Sequence, residues 1–366
     1  MKKSKVLLVT FPFIPVSQDS LAGTEQITYL LGKSLVEIGH EVHTIAREDS
    51  NVYGNLVPGG FTNMVPVQGA ELEHFQQAMA YTGSVVRNFI RKNPGLEVII
   101  DRAEGLTLPI AHEEDGPPVI CGLDQEAKYF LHPLIFDKLK KVIIGRKDCF
   151  AAVSNYIAQN YQQELDFRGL ESRMHTIHNG IDTKKFEFSE SHENYLLFLG
   201  RVVEKKGAHI ALQVANETGH KIIIAGGTGE DTDNQYSQES YVRNEISPNL
   251  KKGSYLYGPA DLNQKVELMK NAKAVIFPTK KGMVEPFGLV PIEAMACGAP
   301  VIAFNQGGPK ETIIDGKTGF LVDSKEEIVQ AVQRLNEINR NDCAQHVVEN
   351  FDYSVMGRRY SKLIGR

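Results

Sequence analysis

A chain of 366 residues, 42% hydrophobic and 23% charged, is too long for one comfortable core, so two domains are expected. A formal charge of −5 leaves no surplus of positive charge to grip a nucleic-acid backbone, while local anion sites stay available. The four cysteines, Cys121, Cys149, Cys297 and Cys343, show no zinc or disulfide spacing, and no apolar run approaches the roughly 20 residues that span a bilayer, which together fit a cytoplasmic protein.

The opening MKKSKVLLVTFPF has the basic start and apolar run of a signal peptide but no small-residue cleavage pattern, and it reads as a first buried strand. Val6 to Phe11 is that strand, Thr24 to Ile38 an amphipathic helix ended by Gly39, and Glu41 to Ala46 the next strand. Strands are expected at Leu96 to Ile100, Pro118 to Gly122 and Cys149 to Val153, with a helix over Asn155 to Phe167. After the polar SESHEN segment a second series begins. Its strands are Tyr195 to Leu199, Lys221 to Ala225, Ala274 to Phe277 and Val301 to Phe304, and its helices are Ala208 to Glu217, Leu262 to Asn271, Leu289 to Ala296 and Glu326 to Ile338. Alternation of this kind builds parallel sheets from right-handed βαβ units, so the class is α/β with two doubly wound domains. Such domains placed mouth to mouth create a cleft at the carboxyl ends of their strands, where ligands bind.

Three stretches carry chemistry. In Glu285-Pro-Phe-Gly-Leu-Val-Pro-Ile-Glu293, Gly288 lets backbone N–H groups approach an anion at a helix N-terminus, and the two glutamates can hold different diols of one ligand. In Phe198-Leu-Gly-Arg-Val-Val-Glu-Lys-Lys-Gly207, Gly200 and Gly207 bracket Arg201 and Lys206, cations suited to neutralise a departing diphosphate with no metal required. The loop Ser20-Leu-Ala-Gly-Thr-Glu25, with Gly23, sits where a phosphate loop would, but it lacks GxGxxG; an ordinary tight loop fits it equally, and a nicotinamide enzyme is disfavoured.

Weaker signals stay beside these. Asp231-Thr-Asp233 looks like a manganese-holding acidic triplet but reads as a solvated loop, and the histidines suggest no metal site. Gly226-Gly-Thr-Gly229 could accept phosphate or base, or simply turn the chain. Asp137 to Lys147 mixes basic and apolar residues as a membrane-surface helix does, though a solvated face is the better account, and peripheral contact with the inner membrane face is left open.

The motifs HNGID (His178 to Asp182), YLLFLGRVVEKKG, EPFGLVPIEAMACGAPVIAF and DGKTGFLV (ending at Val322) together resemble the retaining glycosyltransferases of family 4, which have the GT-B fold. The resemblance is strongest to the subgroup that includes an avilamycin-biosynthesis transferase; the N-terminal half is similar more loosely, in VLLVTFPF and AGTEQ. It implies an acceptor domain over residues 1–185, a nucleotide-sugar donor domain over 186–340, and a tail over 341–366 whose last helix, Tyr353 to Leu363, crosses back to the first domain. It implies that Arg201 and Lys206 hold the donor diphosphate, Glu293 the nucleotide ribose and Glu285 the transferred sugar. Gly200 and the amides at Phe287, Gly288 and Leu289 complete that site, and Gly23 lines the opposite wall.

The implied reaction is metal-independent transfer of a hexose from a nucleotide-diphosphate sugar, UDP-linked before GDP-mannose, to a hydroxyl acceptor that is a glycan, a lipid-linked sugar or a small metabolite. No resident cofactor is expected, since the nucleotide sugar is a co-substrate. One departure stands out: where similar enzymes carry a histidine, this chain has Asp124, with Asp101 and His112 as nearby alternatives. That aspartate keeps two other readings alive, a catalytically silent sugar-nucleotide binder and, on the same scaffold, a sugar-nucleotide epimerase.

Overall fold

The computed structural model describes residues 2–18, 20, 23–62, 72–127, 140, 143, 145–165, 169–228, 239–280 and 282–365. They form two compact units, Met1–Gly180 with Tyr353–Arg366, and Ile181–Asp352.

In the first unit the order is β1 (Lys5–Val9), α1 (Gly23–Ile38), β2 (Glu41–Arg47), β3 (Asn55–Gly60), α2 (Leu72–Lys92), β4 (Val98–Asp101), α3 (Thr107–Glu113), β5 (Val119–Leu123), β6 (Cys149–Ala152), α4 (Asn155–Glu164) and β7 (Met174–Thr176). The seven strands lie in the order β3-β2-β1-β4-β5-β6-β7, all parallel. Val6 to Val9 and Val98 to Ile100 are buried on both faces, as expected of central parallel strands covered by helices. Each such aliphatic side chain removed from water contributes about 2 kcal/mol. The helix expected to run to Phe167 ends at Glu164, where Leu165 turns extended.

The second unit runs β8 (Tyr195–Leu199), α5 (Ala208–Thr218), β9 (Lys221–Ala225), β10 (Tyr255–Gly258), α6 (Leu262–Asn271), β11 (Ala274–Phe277), α7 (Leu289–Ala296), β12 (Val301–Phe304), β13 (Gly319–Val322), α8 (Lys325–Gln333) and α9 (Arg340–Phe351). Its parallel sheet has the order β10-β9-β8-β11-β12-β13. The reversal of strand order falls between β1 and β4 in one sheet and between β8 and β11 in the other, the switch points beside which ligands bind in doubly wound folds. The helix expected over Glu326 to Ile338 breaks after Gln333 into a separate 3₁₀ turn at Leu335–Glu337.

The final helix, α10 (Tyr353–Ile364), belongs to the first unit. It buries Tyr353, Met356, Gly357, Tyr360 and Ser361, one helical stripe, against α1. Gly357 is required by contact: a Cβ there would overlap the Ser34 hydroxyl. His40 accepts from the Ser4 N–H at Nδ1, so its Nε2–H donates to Ser361 Oγ at 2.8 Å, and burial lowers its pKa in favour of this neutral form. Tyr353 donates to Glu37, and Lys33 sits 4.4 Å from the Tyr353 ring centre. No helix of the described residues is long and apolar enough to cross a membrane.

Candidate active site

In the second unit the loops leaving β8, β9, β11 and β12 meet at the carboxyl ends of the strands. Leu199 gives way to Gly200, at φ +146, then Arg201, then a 3₁₀ turn over Glu204–Lys206 closed by Gly207 in the left-handed region. A Cβ on Gly207 would overlap the Pro278 carbonyl oxygen, so glycine is what allows this turn to lie on the loop after β11. Lys280 N–H donates to Lys205 O at 2.9 Å, and the Lys280 ammonium pairs with Glu204 at 2.9 Å, fixing the same two loops together. The glycine run after β9 serves a similar end. Gly226, at φ +147, packs on the Gly200 carbonyl with no room for a Cβ, and Val202 N–H donates to Gly227 O. Of the two readings left open for Gly226, turning the chain in close contact is the one its geometry carries; Gly229 lies outside the described residues.

This scaffold brings Lys206 to Glu285. Their ammonium and carboxylate form an ion pair, each side chain about one-fifth exposed. Glu285 is held in turn from behind, because Gly308 N–H donates to its carbonyl at 2.9 Å and Gly307 and Gly308 lie against residues Val284 to Phe287 where a side chain would collide. The chain then enters α7 through Gly288 at φ +83, with no side chain capping the helix, so its first N–H groups carry no capping partner from Gly288. Phe287 is buried with its ring tilted against Phe351, the ring centres 6.1 Å apart, anchoring the loop, while Leu289 is half-buried.

Glu293, one turn further, is 1% exposed, and Lys265 of α6 lies 2.8 Å from its Oε2, without hydrogen-bond alignment. Lys265 is positioned by the capping box of α6, in which Asp261 accepts from Gln264 N–H and Gln264 Oε1 accepts from Asp261 N–H. Sequence reading missed Lys265 and the Gly307-Gly308 pair; the glycine pair after a strand was a usable signal, whereas nothing in the sequence ties Lys265 to Glu293. Arg201 is exposed at the mouth of the same loop.

In the first unit the carboxyl ends of β1, β4 and β5 gather a different set. Gly23 is exposed at the first turn of α1, and Leu21 and Ala22 before it lie outside the described residues, as do Asp231 to Asp233 and much of the segment from Asp137 to Lys147. Asp124 follows β5 directly, 18% exposed, and its Oδ2 lies 2.8 Å from Nη2 of Arg102, whose side chain is almost wholly buried. Arg102 Nη1 donates to Tyr360 Oη at 3.4 Å. Burial raises the Asp124 pKa against the pull of Arg102.

Glu25, 4% exposed in α1, is likewise pushed up by burial, and Glu104 is raised to about 7 by burial and by the charges of Asp124 and Asp101. Asp101 cannot serve as the alternative to Asp124: it is 0% exposed and accepts three hydrogen bonds, from Ala103 N–H, Thr107 N–H and Thr107 Oγ1, each 2.7 Å long, which fix the start of α3. His112 is exposed in the last turn of α3, away from this group. All four cysteines are free thiols.

Two parallel, doubly wound sheets, each with a polar site at its switch point, define the GT-B class of glycosyltransferases. Residues 181–350 match the family described as glycosyl transferases group 1, and residues 21–185 match glycosyltransferase family 4. The chain belongs to this group 1, family 4 line of glycosyltransferases. An uncharacterized glycosyltransferase of Methanocaldococcus jannaschii is 27% identical over 222 residues, 61% of this chain and 57% of the relative, so the match spans a little over half of that protein. The Anabaena protein HepE, solved in complex with UDP and glucose, superposes with a TM-score of 0.72 at 16% identity over 99% of both chains. A glycosyltransferase involved in avilamycin A biosynthesis superposes with a TM-score of 0.67 at 18% identity over 99% of this chain and 97% of its own.

Proposed function

We propose that this protein transfers a hexose from a nucleotide-diphosphate sugar to a hydroxyl acceptor, with retention of configuration and without a metal ion. The observation that carries the reading is the second unit's cluster, in which Lys206 pairs with Glu285 shortly before a helix whose N-cap residue, Gly288, leaves its N-terminal amides uncapped by a side chain. Arg201, Lys206 and those amides meet the donor diphosphate and stabilise the charge that grows on the leaving nucleotide diphosphate. Glu293, already beside Lys265, accepts from the ribose hydroxyls, and Glu285 accepts from hydroxyls of the transferred sugar while sharing Lys206 with the phosphate.

In the first unit Asp124 is a hydrogen-bond acceptor for a sugar hydroxyl, in the place where similar enzymes use a histidine. The acceptor oxygen attacks from the face the nucleotide leaves: the anomeric C–O bond to phosphate breaks, the new C–O bond forms, and the acceptor's proton passes to the departing phosphate oxygen. A UDP-sugar is the favoured donor, supported by the UDP and glucose bound in the Anabaena neighbour, with GDP-mannose next.

The test is a thermal-shift series with UDP, GDP, ADP, TDP and their sugar conjugates, repeated in EDTA, followed by assay of nucleotide diphosphate release. A selective shift with UDP and UDP-hexose that survives EDTA, together with UDP release, is expected. No shift with any nucleotide overturns the donor site, and binding without turnover favours the silent sugar-nucleotide binder.

A further inference from the structure

Arg102 is a buried cation with no counterpart among the motifs that mark the family in this chain. Its guanidinium, in a side chain 1% exposed, stands between Asp124 on one side and the Tyr360 phenol on the other. Nε of Arg102 and Oδ1 of Asp124 are buried and have no hydrogen-bond partner among the described residues, and the contact between Nη2 and Oδ2 at 2.8 Å lacks hydrogen-bond alignment. A burial of this kind is costly unless the pair serves as a unit, because each group alone would leave an uncompensated charge.

The groups around the pair make the point sharper. Glu25 comes from α1, Asp101 from the end of β4, Glu104 from the β4–α3 turn, Cys121 from β5, Cys149 from β6, Tyr161 from α4 and Tyr360 from α10. Glu25 therefore faces the same guanidinium as Asp124, the charges of Asp124 and Asp101 crowd Glu104, and without Arg102 the buried Asp124 would lose the cation that opposes its protonation. Gly122, at the carboxyl end of β5, leaves the space the Arg102 side chain occupies, since a Cβ there would stand 3.1 Å from Arg102 Cδ.

We propose that Arg102 is a positioning residue that holds Asp124 ionised and oriented for a sugar hydroxyl, and that Tyr360, on the last helix of the chain, steadies Arg102 from behind. The inference rests on the proposed role of Asp124 as acceptor for a sugar hydroxyl. It gives the C-terminal helix a part in the chemistry beyond packing on α1, because the Tyr360 hydroxyl is its one group bonded to Arg102 among the described contacts.

The experiment compares Arg102→Met, Asp124→Asn, the double variant, Arg102→Lys and Tyr360→Phe, with UDP-glucose as donor, or GDP-mannose if only that one is turned over by the unaltered protein. Arg102→Met should lower kcat by roughly tenfold or more while the donor KM stays within about threefold, as coupled neighbours do. The acid limb of its pH profile should move to higher pH, since Asp124 then protonates more readily. In the Asp124→Asn background the same change should cost less than about threefold. Tyr360→Phe should lower kcat in the same direction by a smaller factor, and Arg102→Lys should recover part of the loss.

Equal losses from Arg102→Met in both backgrounds, or an unmoved acid limb, would overturn the inference. If Arg102→Met does not fold, Arg102→Lys and Tyr360→Phe decide the question through the same non-additivity with Asp124→Asn. Full activity in Asp124→Asn overturns the inference and the role of Asp124 together, yet leaves the transferase reading standing if turnover still depends on Lys206. Absence of turnover in the unaltered protein would instead sink the transferase reading itself.

Discussion

The two sheets share a strand order around their switch points but carry opposite electrostatics at their carboxyl ends. In the second unit Lys206 and Glu285 sit on glycine-built loops, each about one-fifth exposed, Glu293 is buried in α7, and each glutamate has its own lysine, with Arg201 exposed beside them. In the first unit Asp124 and Glu25 face the buried guanidinium of Arg102, and Glu104 is crowded by Asp124 and Asp101. A common fold therefore fixes where a ligand goes, while the residues leaving each strand fix what sort of ligand it is. On the proposed function, the second unit's site takes the donor phosphates and the first unit's takes groups that donate hydrogen bonds.

The sharpest way to break this contrast is to remove the cation of the second unit. Lys206→Ala should lower kcat by about 10²–10³-fold, the cost of losing a charge aimed at the leaving group, with little change in the melting temperature, as steady-state kinetics beside a thermal melt would show. A loss below about threefold would take the diphosphate away from that site.

Next comes the glycine scaffold that distinguishes the second unit. Gly226→Ala places a methyl on the Gly200 carbonyl and strains a φ of +147, so urea unfolding should show a loss of about 3 kcal/mol. Gly316→Ala, at φ +70 but facing open space, should cost only about 1 kcal/mol. Equal costs would mean that the close approach of the β8 and β9 loops is not under strain.

The carboxyl-rich character of the first unit has its own signature. Glu104 is raised from 4.5 to about 7, so the folded protein holds that proton more tightly than the unfolded chain does. The resulting stability is fully present below pH 4.5 and is lost as pH rises through about 7. Glu104→Gln removes this loss: relative to the unaltered protein it should gain about 1–3 kcal/mol between pH 4 and pH 8 in denaturant titrations. A flat difference between the two pH values would show that Glu104 is not crowded by Asp124 and Asp101. The smallest effect tests how the last helix joins the first unit: Tyr353→Phe loses the hydroxyl's bonds to Glu37 and Lys33 while keeping the ring, and should cost about 1 kcal/mol by urea unfolding.

The repeating βα pattern and most strand positions were legible in the amino-acid order alone. In the second unit Tyr195–Leu199, Lys221–Ala225, Ala274–Phe277 and Val301–Phe304 stand where the apolar runs put them, because a strand buried on both faces must be continuously apolar. That order was less informative for β3, with two glycines and a proline, and for β10, whose residues are mostly half-exposed, because edge strands have no such constraint. Contiguous motifs were also legible, since Arg201 with Lys206 and Glu285 with Glu293 each lie within one loop and its neighbouring element.

The charge pairings emerge only in the folded chain. Lys206 meets Glu285 across 79 positions, and Arg102 meets Tyr360 across 258, with no local spacing to announce either. Asp101 looked like a rival to Asp124 until the fold spent its carboxylate on the start of α3. Periodicity reports which side of an element is buried, because that is a property of consecutive residues; which charge lies against which is set by the crossover connections that bring distant strand ends to one edge of a sheet.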